Sequence, residues 1–565
     1  MRSEQVRMGI DRAPHRSLFR AAGLNDQDLE KPIIGIANSY NEFVPGHIHL
    51  DVLAKNIKEG IRAEGGTPLE FNTIAIDDGI AMGHEGMFTS LPSRETIADS
   101  VELVGVGHQI DGLVILSSCD KILPGMLMAG ARLNLPTTVM TGGPMKAGNL
   151  HGEAVDLASV FEAVPKVKEG SMSQEEMLEL ERVACPGAGS CAGMFTANTM
   201  GCIVEAMGLS VPNTATLPAT SEGRKQLAEQ AGRAVMGNLN AEMTMGDFVT
   251  EESLRNGLRV GMALGGSTNM VLHSLALAKE AGLNFGLEEI AQLSAETPHL
   301  ASMSPAGPAR MEDLHRAGGV TAVMNSLSNQ IIGSTPTIEG TTAEERLENF
   351  SPTETTNSII SSPADPVHPR GSIAILRGNL APNGAVVKQT AVSEEMLTHS
   401  GPARIFSSEE SATEAIDQGD INPGDVIVIR FEGPKGGPGM REMLTPTSRI
   451  SGGNLSGKVS LITDGRFSGA SRGPAIGHVS PEAAAGGPIG VIEEGERINI
   501  DVEAGVLEVE VSDRKLQSRM EEQKGQYIPS RKTTCKALSR YAALVTGAEQ
   551  GAVLRCSNKS GGEGL

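Results

Sequence analysis

The sequence predicts an α/β fold in two parts: an N-terminal α/β domain with a mostly parallel sheet, and a smaller C-terminal domain that is β-rich and barrel-like. The chain has 565 residues, which exceeds the size at which one hydrophobic core keeps growing. In roughly the first 145 residues, short apolar runs alternate with segments of helical periodicity, a pattern typical of a parallel sheet covered by helices. Beyond residue 370, short apolar runs are separated by glycine-rich turns, which favours a barrel or a sandwich.

The N-terminal strands are predicted from apolar runs that are too short to be helices. They cover residues 31–38, 69–76, 113–116 and 137–140. Between the first two, Leu50, Leu53, Ile57 and Ile61 recur at helical spacing, and a further helix is predicted over residues 93–104. Because strand and helix alternate, we expect a mostly parallel sheet with helices on both faces.

A helical region is predicted next, followed by the C-terminal strands. Helical apolar spacing marks residues 193–207, 224–236, 251–264, 269–280 and 311–327. A segment dominated by Thr, Ser, Pro and Glu then keeps no period, which places a linker at residues 351–370, between an N-terminal domain over 1–350 and a C-terminal domain over 371–565. Strands are predicted there over residues 372–376, 425–430, 459–463, 497–503 and 507–511, with a last helix over 534–544.

Composition limits the possible partners. The 47 Lys and Arg residues against 69 Asp and Glu residues give a net charge of −22, which argues against nucleic acid and against anionic membranes as partners. No apolar run is long enough to span a membrane, and the start of the chain lacks the apolar core of a signal peptide. Six cysteines are too few for a disulfide scaffold in so long a chain. We therefore expect a cytoplasmic protein with a small-molecule partner.

The most informative stretch is the turn Cys119-Asp120-Lys121. It directly follows the buried strand predicted at residues 113–116, and the carboxyl ends of parallel strands are where open sheets bind ligands. A thiolate is a soft metal ligand, a carboxylate is a hard one, and a lysine can become anionic if it is carbamylated. One turn could therefore serve two different metals, although an isolated Cys-Asp-Lys is more often a buried cysteine beside a surface ion pair.

Two sets of metal-type residues lie on glycine-rich turns. Asp78, Asp120, Lys121 as a carbamate, and Glu442 would suit a hard divalent ion such as Mg²⁺. On spacing alone, however, Asp78 is typical of a turn and Glu442 of a surface acid.

The cysteines form the second set. Cys119 and Cys191 each have Gly or Ser nearby, which leaves room for the inorganic sulfide of an iron–sulfur cluster, and Cys185 is a possible third ligand. The interval between Cys185 and Cys191 matches no standard ferredoxin pattern. The other cysteines are predicted to be inert, namely Cys202, Cys535 and Cys556.

Three further loops carry unusual chemistry. Residues 432–443 fail the Walker pattern, because no Gly-Lys is followed by Ser or Thr, and instead predict a rigid loop that presents Lys435, Arg441 and Glu442 to a small anion. Ser468 follows a strand but lacks the nucleophile elbow of acyl-transfer enzymes. Residues 264–269 offer backbone N–H groups to an anion, or form an ordinary helix cap.

These motifs together resemble the dihydroxy-acid dehydratase and phosphogluconate dehydratase family. The resemblance rests on Cys119-Asp120-Lys121, on residues 185–191, on residues 432–442 and on residues 464–469, and it extends from about residue 8 to residue 550. It implies a homodimer and a hydro-lyase that converts 2,3-dihydroxy-3-methyl carboxylic acids to 2-keto acids in branched-chain amino-acid synthesis, with an iron–sulfur cluster acting as a Lewis acid and a magnesium ion.

The resemblance also implies roles for individual residues. Cys119 and Cys191 would bind the cluster, and Ser468 would accept the substrate proton. The magnesium ligands would be Asp78, Asp120, carbamylated Lys121 and Glu442.

One position departs from the family pattern. Members with a well-defined 2Fe-2S cluster have a cysteine where this chain has Gly46, which has no side chain to bind iron. The third protein ligand is therefore expected to be Cys185 first, and otherwise His47 or His49. Both a 2Fe-2S and a 4Fe-4S cluster stay compatible with the sequence.

Two alternatives stay open. A sugar-acid or 6-phosphogluconate dehydratase would share every metal residue, and its phosphate would call for added Arg or Lys side chains in the pocket. A non-enzymatic iron–sulfur sensor would need a partner-binding surface, and the acidic chain gives no support for one that binds DNA.

Overall fold

The computed structural model describes residues 1–352, 356–468, 473–523 and 535–555. It confirms an α/β protein with a parallel sheet in its N-terminal part and a closed barrel in its C-terminal part. Part of the predicted linker, the segment after Ser468 and the predicted inert Cys556 lie outside the described residues. Within those residues, no helix has both the length and the apolar character needed to cross a bilayer.

The N-terminal sheet has four parallel strands in the order β2-β1-β3-β4. The elements of this part are α1 (Glu4–Arg7), α2 (Ala13–Ala21), β1 (Ile33–Asn38), α3 (Leu50–Ala63), β2 (Thr67–Asn72), α4 (Asp78–Ala81), α5 (Met87–Gly107), β3 (Gly112–Ser117), α6 (Ile122–Leu133) and β4 (Thr137–Thr141). All four predicted strands are present. The second ends at Asn72 rather than at Ile76, so an irregular segment leads from the sheet to α4.

Helices cover the sheet on both faces, as alternation of strand and helix predicts. Successive residues of a strand point to opposite faces. A Cβ at Gly112 of β3 would contact Val235, which lies on the helix Gly223–Asn240. The side chain of Ile115 instead faces Gly130 of α6. Because positions 112 and 115 point to opposite faces, the two helices lie on opposite sides of the sheet. The β3 strand is therefore buried on both faces.

A largely helical region follows the sheet. Its elements are β5 (Gly148–Leu150), β6 (Glu153–Val155), α7 (Leu157–Lys168), α8 (Gln174–Ala184), α9 (Thr196–Ala206), α10 (Gly223–Asn240), α11 (Met245–Phe248), α12 (Glu251–Ala263), α13 (Asn269–Glu280), α14 (Leu287–Glu296), α15 (Met311–Arg316), α16 (Gly319–Ser326), α17 (Ala343–Glu348) and α18 (Thr356–Ile359). The single helix predicted over 311–327 is two helices. Gly318 separates them, because its φ of 104° is a left-handed conformation that ends a helix.

The C-terminal part is built around a closed eight-stranded barrel with the order β10-β12-β14-β8-β7-β16-β15-β9. Its elements are β7 (Ile373–Gly378), β8 (Ala381–Lys388), β9 (Thr398–Phe406), α19 (Glu409–Gln418), β10 (Val426–Ile429), β11 (Glu442–Met443), α20 (Thr445–Gly452), β12 (Ser460–Thr463), β13 (Arg466–Phe467), β14 (Ala475–Ser480), β15 (Arg497–Asp501), β16 (Val506–Val509), α21 (Asp513–Gln523) and α22 (Lys536–Leu544). Closure of the sheet leaves no unpaired strand edge.

The two parts pack closely on each other. Ile373, Ile375 and Val386 of the barrel belong to the same apolar core as the N-terminal sheet. The guanidinium of Arg94, a fully buried residue of α5, donates to the carbonyls of Gly551 and Ala552 at 2.8 Å each, which fixes the end of the described chain to the first part. The linker at 351–370 stays a prediction.

Candidate active site between the sheet and the barrel

The turn after β3 lies at the carboxyl end of the sheet, where the sequence places it. Cys119 has a φ of 61°, which is uncommon for a residue with a side chain and marks a sharp turn between β3 and α6. This turn aims Cys119 and Asp120 into one cavity, while Lys121 is fully buried beside them. Backbone conformation at this position thus separates the Cys119 sulfur from the oxygen and nitrogen groups that follow it.

Asp78 begins α4, which follows β2, the strand on the other side of β1 from β3. Its own helix α4 is capped by Asp77, whose carboxylate accepts a hydrogen bond from the Ile80 N–H at 3.0 Å. Ser90 on α5 donates its hydroxyl to Asp78 Oδ1 at 2.5 Å. The cap therefore fixes the start of α4, and Ser90 fixes the Asp78 carboxylate.

Glu442 comes from the barrel. It begins β11, which pairs in parallel with β13 so that Glu442 lies opposite Arg466. The loop before it lies directly on α5: a Cβ at Gly439 would be 2.0 Å from the Phe88 carbonyl oxygen, and the φ of Gly439 is 99°. Only glycine allows this approach, and the approach brings Glu442 over the end of the sheet.

Three carboxylates meet at this point. Asp78, Asp120 and Glu442 each offer an oxygen, and these atoms lie within 4.8 Å of one another. The Lys121 Nζ lies among them, 2.5 Å from Asp78 Oδ2, 2.9 Å from Glu442 Oε1 and 3.6 Å from Asp120 Oδ2. All four side chains that the sequence proposes as magnesium ligands therefore share one cluster.

Sequence reasoning missed two residues that hold Glu442. Arg466 Nη1 donates to Glu442 Oε1 at 2.8 Å, and the Asn269 side-chain amide donates to the same oxygen at 2.5 Å. Arg466 Nη1 also donates to Asn269 Oδ1 at 2.9 Å. In the sequence, Asn269 lies at the polar start of α13 and Arg466 lies in the motif at residues 464–469, but neither pattern indicates contact with Glu442. Of the backbone N–H groups there, for which the sequence leaves an anion site or a helix cap open, that of Ser267 donates to Thr199 Oγ1 and that of Asn269 donates to Ser267 Oγ.

Burial and charge set the protonation of the cluster. Burial raises the pKa of Asp120, and the charge of Lys121 only partly opposes that rise. Burial also acts on Glu442, but the positive charges of Lys121 and Arg466 outweigh it and hold the pKa of Glu442 well below its usual range. The pKa of Lys121 is raised despite burial, because Asp78 and Glu442 stabilise its ammonium. A cation is thus what this set of carboxylates stabilises.

The predicted cluster cysteines line the same cavity. Cys119, Cys185 and Cys191 all border it, whereas Cys202 is buried in α9 and Cys535 lies at the start of α22. Burial raises the pKa of the Cys119 and Cys191 thiols well above the usual range, and that of Cys185 less strongly. Such thiols become thiolates only where a metal ion replaces the proton.

Gly46 lies next to the sulfur of Cys119. A Cβ at Gly46 would be only 2.8 Å from Cys119 Sγ, so glycine allows this sulfur to lie directly against the backbone. The rings of His47 and His49 instead turn to backbone carbonyls, those of Ser39 at 2.7 Å and Gly142 at 2.8 Å, and neither borders the cavity. Of the three candidates for a third cluster ligand, only Cys185 faces the cavity.

Ser468 completes the polar side of the cavity. It follows β13, and its backbone N–H donates to the Met443 carbonyl at 3.0 Å, so it lies beside the strand that carries Glu442. The cavity has a volume of about 270 Å³. Part of its wall is apolar and includes Ile80, Leu157, Phe161 and Leu444.

The glycine-rich loop before Glu442 differs from its prediction. Arg441 is buried and donates to Glu432 Oε2 at 2.9 Å and to Glu410 at 2.7 and 2.8 Å, with its guanidinium 4.9 Å from the Phe88 ring. Neither Arg441 nor Lys435 borders the large cavity. The loop is therefore braced by its own ion pairs, and of its three predicted anion-facing residues only Glu442 reaches the site.

Comparison with known proteins defines the class. The family model described as dihydroxy-acid/6-phosphogluconate dehydratase N-terminal matches residues 31–346, and the C-terminal model of the same description matches residues 358–552. The protein is therefore a hydro-lyase, an enzyme that removes water from a small-molecule substrate. More narrowly, the chain belongs to the dihydroxy-acid/6-phosphogluconate dehydratase family, which confirms the resemblance seen in the motifs.

Relatives extend over nearly the whole chain. A protein named dihydroxy-acid dehydratase from Dehalococcoides mccartyi (strain CBDB1) is 52% identical over 561 residues, covering 98% of this chain and 100% of the relative. Proteins of the same name from Acetivibrio thermocellus and Methanothermobacter thermautotrophicus are each 51% identical, with the same coverage.

Proposed function

We propose that this enzyme dehydrates 2,3-dihydroxy-3-methyl carboxylic acids to 2-keto acids, 2,3-dihydroxyisovalerate to 2-ketoisovalerate among them, in the synthesis of valine, leucine and isoleucine. The observation that carries the proposal is the cavity itself, which is lined by carboxylates, by thiols and by an apolar wall. The names of the full-length relatives support the same substrate class.

Magnesium is the proposed ion at the carboxylate cluster. Asp78, Asp120 and Glu442 offer oxygen ligands close enough together for one small hard cation. The Lys121 ammonium now neutralises part of their charge. Carbamylation of Lys121 would replace that positive charge by a negative one and add an oxygen ligand, so the cluster would then demand a divalent cation.

An iron–sulfur cluster is the proposed group at the thiols. Cys119 and Cys191 would hold it, and Cys185 is the proposed third ligand because it borders the cavity. Gly46 borders the same cavity as these thiols and has no side chain that would occupy it. Both 2Fe-2S and 4Fe-4S types stay compatible with this set. When bound, the magnesium ion and the iron–sulfur cluster would supply Lewis acidity at the substrate's oxygen atoms.

The chain's own residues would handle the proton. Ser468 borders the cavity next to Glu442 and is the proposed acceptor of the proton on C2. Loss of that proton and departure of hydroxide from C3 give an enol, which rearranges to the 2-keto acid without net oxidation or reduction. The apolar wall around Leu157 and Phe161 would receive the methyl branches and keep bulk water away from C3.

The same wall bears on the alternative of a phosphorylated substrate. Among the described residues that border the cavity there is no Arg or Lys, whereas a phosphate group calls for such side chains. The comparisons also do not favour 6-phosphogluconate, since the relatives cited above are named for dihydroxy acids. The proposal further includes a homodimer, which the family resemblance implies, and a cytoplasmic location, which suits a biosynthetic enzyme of small metabolites.

The proposal is tested with protein purified without oxygen. Iron, acid-labile sulfide and magnesium are measured, and turnover is followed with 2,3-dihydroxyisovalerate, gluconate and 6-phosphogluconate. We expect all three inorganic components and a preference of at least about a hundredfold for the branched acid, the discrimination that a few buried methyl groups provide. A preference for either sugar acid would contradict the proposal.

A further inference from the structure

Lys388, the last residue of β8, is a buried lysine without a counter-ion. The residue is 8% exposed, and within the described ranges its ammonium has no ion-pair or hydrogen-bond partner. Lysine is rarely buried unless it is paired, because a buried charge loses its hydration. A lysine kept in such a place therefore requires an explanation.

The side chain of Lys388 borders a small internal cavity that it shares with Ser468, Thr268 and His478. The cavity has room for about one water molecule, with a volume of about 20 Å³. Both ring nitrogens of His478 lack a hydrogen-bond partner, so this cavity is lined by polar groups that a water molecule would satisfy. Ser468 borders this cavity and also the large cavity of the carboxylate cluster. It therefore stands between Lys388 and the substrate site.

The charges around Lys388 leave it free to lose a proton. Burial lowers the pKa of Lys388 from 10.5 to about 8. Among the described residues, His478 on the neighbouring strand β14 borders the same small cavity, and His299 on the loop after α14 interacts electrostatically with Lys388. Burial lowers the pKa values of His478 and His299 to about 3 and about 4, so both are neutral.

Among the residues that the structure describes, neither flanking strand places a charged side chain opposite Lys388. Its partner on β7 is Ile373, and on β14 Ile476 pairs with the preceding residue, Val387. Within the described ranges, no carboxylate is paired with Lys388 to keep it protonated.

We propose that Lys388 is the positioning residue that takes the hydroxyl proton of Ser468, through one water molecule in the small cavity. This inference rests on the proposed function of Ser468. This proton transfer is required because a neutral serine hydroxyl cannot accept the C2 proton of a substrate unless it gives up its own proton.

The proton balance closes without a further reactant. The C2–H bond breaks as its proton moves to the Ser468 oxygen, while the former Ser468 proton passes through the water to the Lys388 amine. The electron pair of the C2–H bond forms the C2=C3 bond, and hydroxide leaves C3. The relay then returns its proton to that hydroxide, which gives water. The enol moves its own hydroxyl proton to C3, and the Lys388 amine is neutral again.

The test combines activity, pH and stability. In the wild type, kcat/KM should rise with pH through about 8, since the amine must be neutral. Lys388→Met should lower kcat about a hundredfold with KM nearly unchanged and remove this rise, with iron, sulfide and magnesium contents unaltered. Lys388→Arg should not restore activity, because a guanidinium keeps its proton. Lys458→Met, at an exposed position of the same part, is the matched control.

Several outcomes would overturn the inference. Activity of Lys388→Met within twofold of wild type would do so, and so would full activity of Lys388→Arg, which would reduce Lys388 to a fixed charge.

A stability comparison needs no turnover and separates this inference from the proposed function. Since the folded pKa lies below the unfolded one, Lys388→Met should have a higher Tm than wild type below pH 8, and the difference should shrink between pH 8 and 10.5. A Tm difference that does not change with pH would show that folding does not lower the pKa of Lys388. That result would refute the inference even if the branched acid proves not to be the substrate.

Discussion

The Lys121 ammonium and the Glu442 carboxylate lie 2.9 Å apart although 321 positions separate them in the chain. Lys121 belongs to the turn at the end of the N-terminal sheet, and Glu442 begins the short strand β11 of the C-terminal part. Neither part alone contains the complete carboxylate cluster. Docking of the barrel on the sheet is therefore what creates the candidate active site.

Glu442→Gln should weaken magnesium binding by about ten- to a hundredfold and lower turnover accordingly, because it removes one charged oxygen from the cluster. Glu442 is not one of the proposed cluster ligands, so iron and sulfide contents should stay at the wild-type level. Magnesium titration by calorimetry checks this result. Glu503→Gln, an exposed carboxylate on the barrel, should behave as wild type. Unchanged magnesium affinity in Glu442→Gln would remove Glu442 from the metal site.

Ser468→Ala should lower kcat by about a hundredfold to ten-thousandfold, the usual contribution of a positioned proton acceptor. The visible absorbance of the iron–sulfur cluster should be unaffected, because the hydroxyl is not one of its proposed ligands. Steady-state kinetics and an absorbance spectrum from one anaerobic preparation give both values. Wild-type turnover in this variant would exclude Ser468 as the proton acceptor.

Cys185→Ser should reduce the iron content and change the cluster spectrum, because Cys185 is the one candidate for the third ligand that borders the cavity. Cys202→Ser is the matched control, since Cys202 is buried in α9 away from the cavity lining. Iron analysis and electron paramagnetic resonance of the reduced protein report the difference. If Cys185→Ser keeps its iron and its spectrum, the third ligand is another group.

Phe161→Ala should raise the KM for 2,3-dihydroxyisovalerate about tenfold, because it removes apolar surface from the wall that receives the methyl branches. The KM for 2,3-dihydroxypropanoate, which has no branches, should change little. Val164→Ala, on the same helix α7 but 37% exposed, controls for effects on the helix. Equal changes for both substrates would argue against a role of Phe161 in recognising the branches.

Much of the fold follows from local sequence. The run at residues 113–116 predicts a strand buried on both faces, and β3 is one. Strands β8, β9 and β14 were not predicted, because Gly384, Gly401 and Gly477 interrupt their apolar patterns. These strands are stabilised by pairing around the barrel, which is a long-range property that no local pattern contains.

The candidate site divides in the same way. Asp120 and Lys121 are adjacent in sequence and directly follow a predicted strand, so their position could be inferred from the chain alone. Arg466 and Asn269 look like ordinary polar residues until the fold brings both to the same oxygen of Glu442. Lys388 likewise shows nothing unusual in sequence, because its distinguishing feature is burial without a partner.

The central claim is that a soft and a hard cation occupy one cavity between the sheet and the barrel. Diffraction from anaerobically grown crystals of active enzyme, recorded on both sides of the iron absorption edge, tests it most directly. We predict anomalous density for iron bonded to the sulfurs of Cys119 and Cys191, and separate density without an iron signal among Asp78, Asp120 and Glu442. Active crystals with no iron at these cysteines, or with iron bound elsewhere on the chain, would contradict the account.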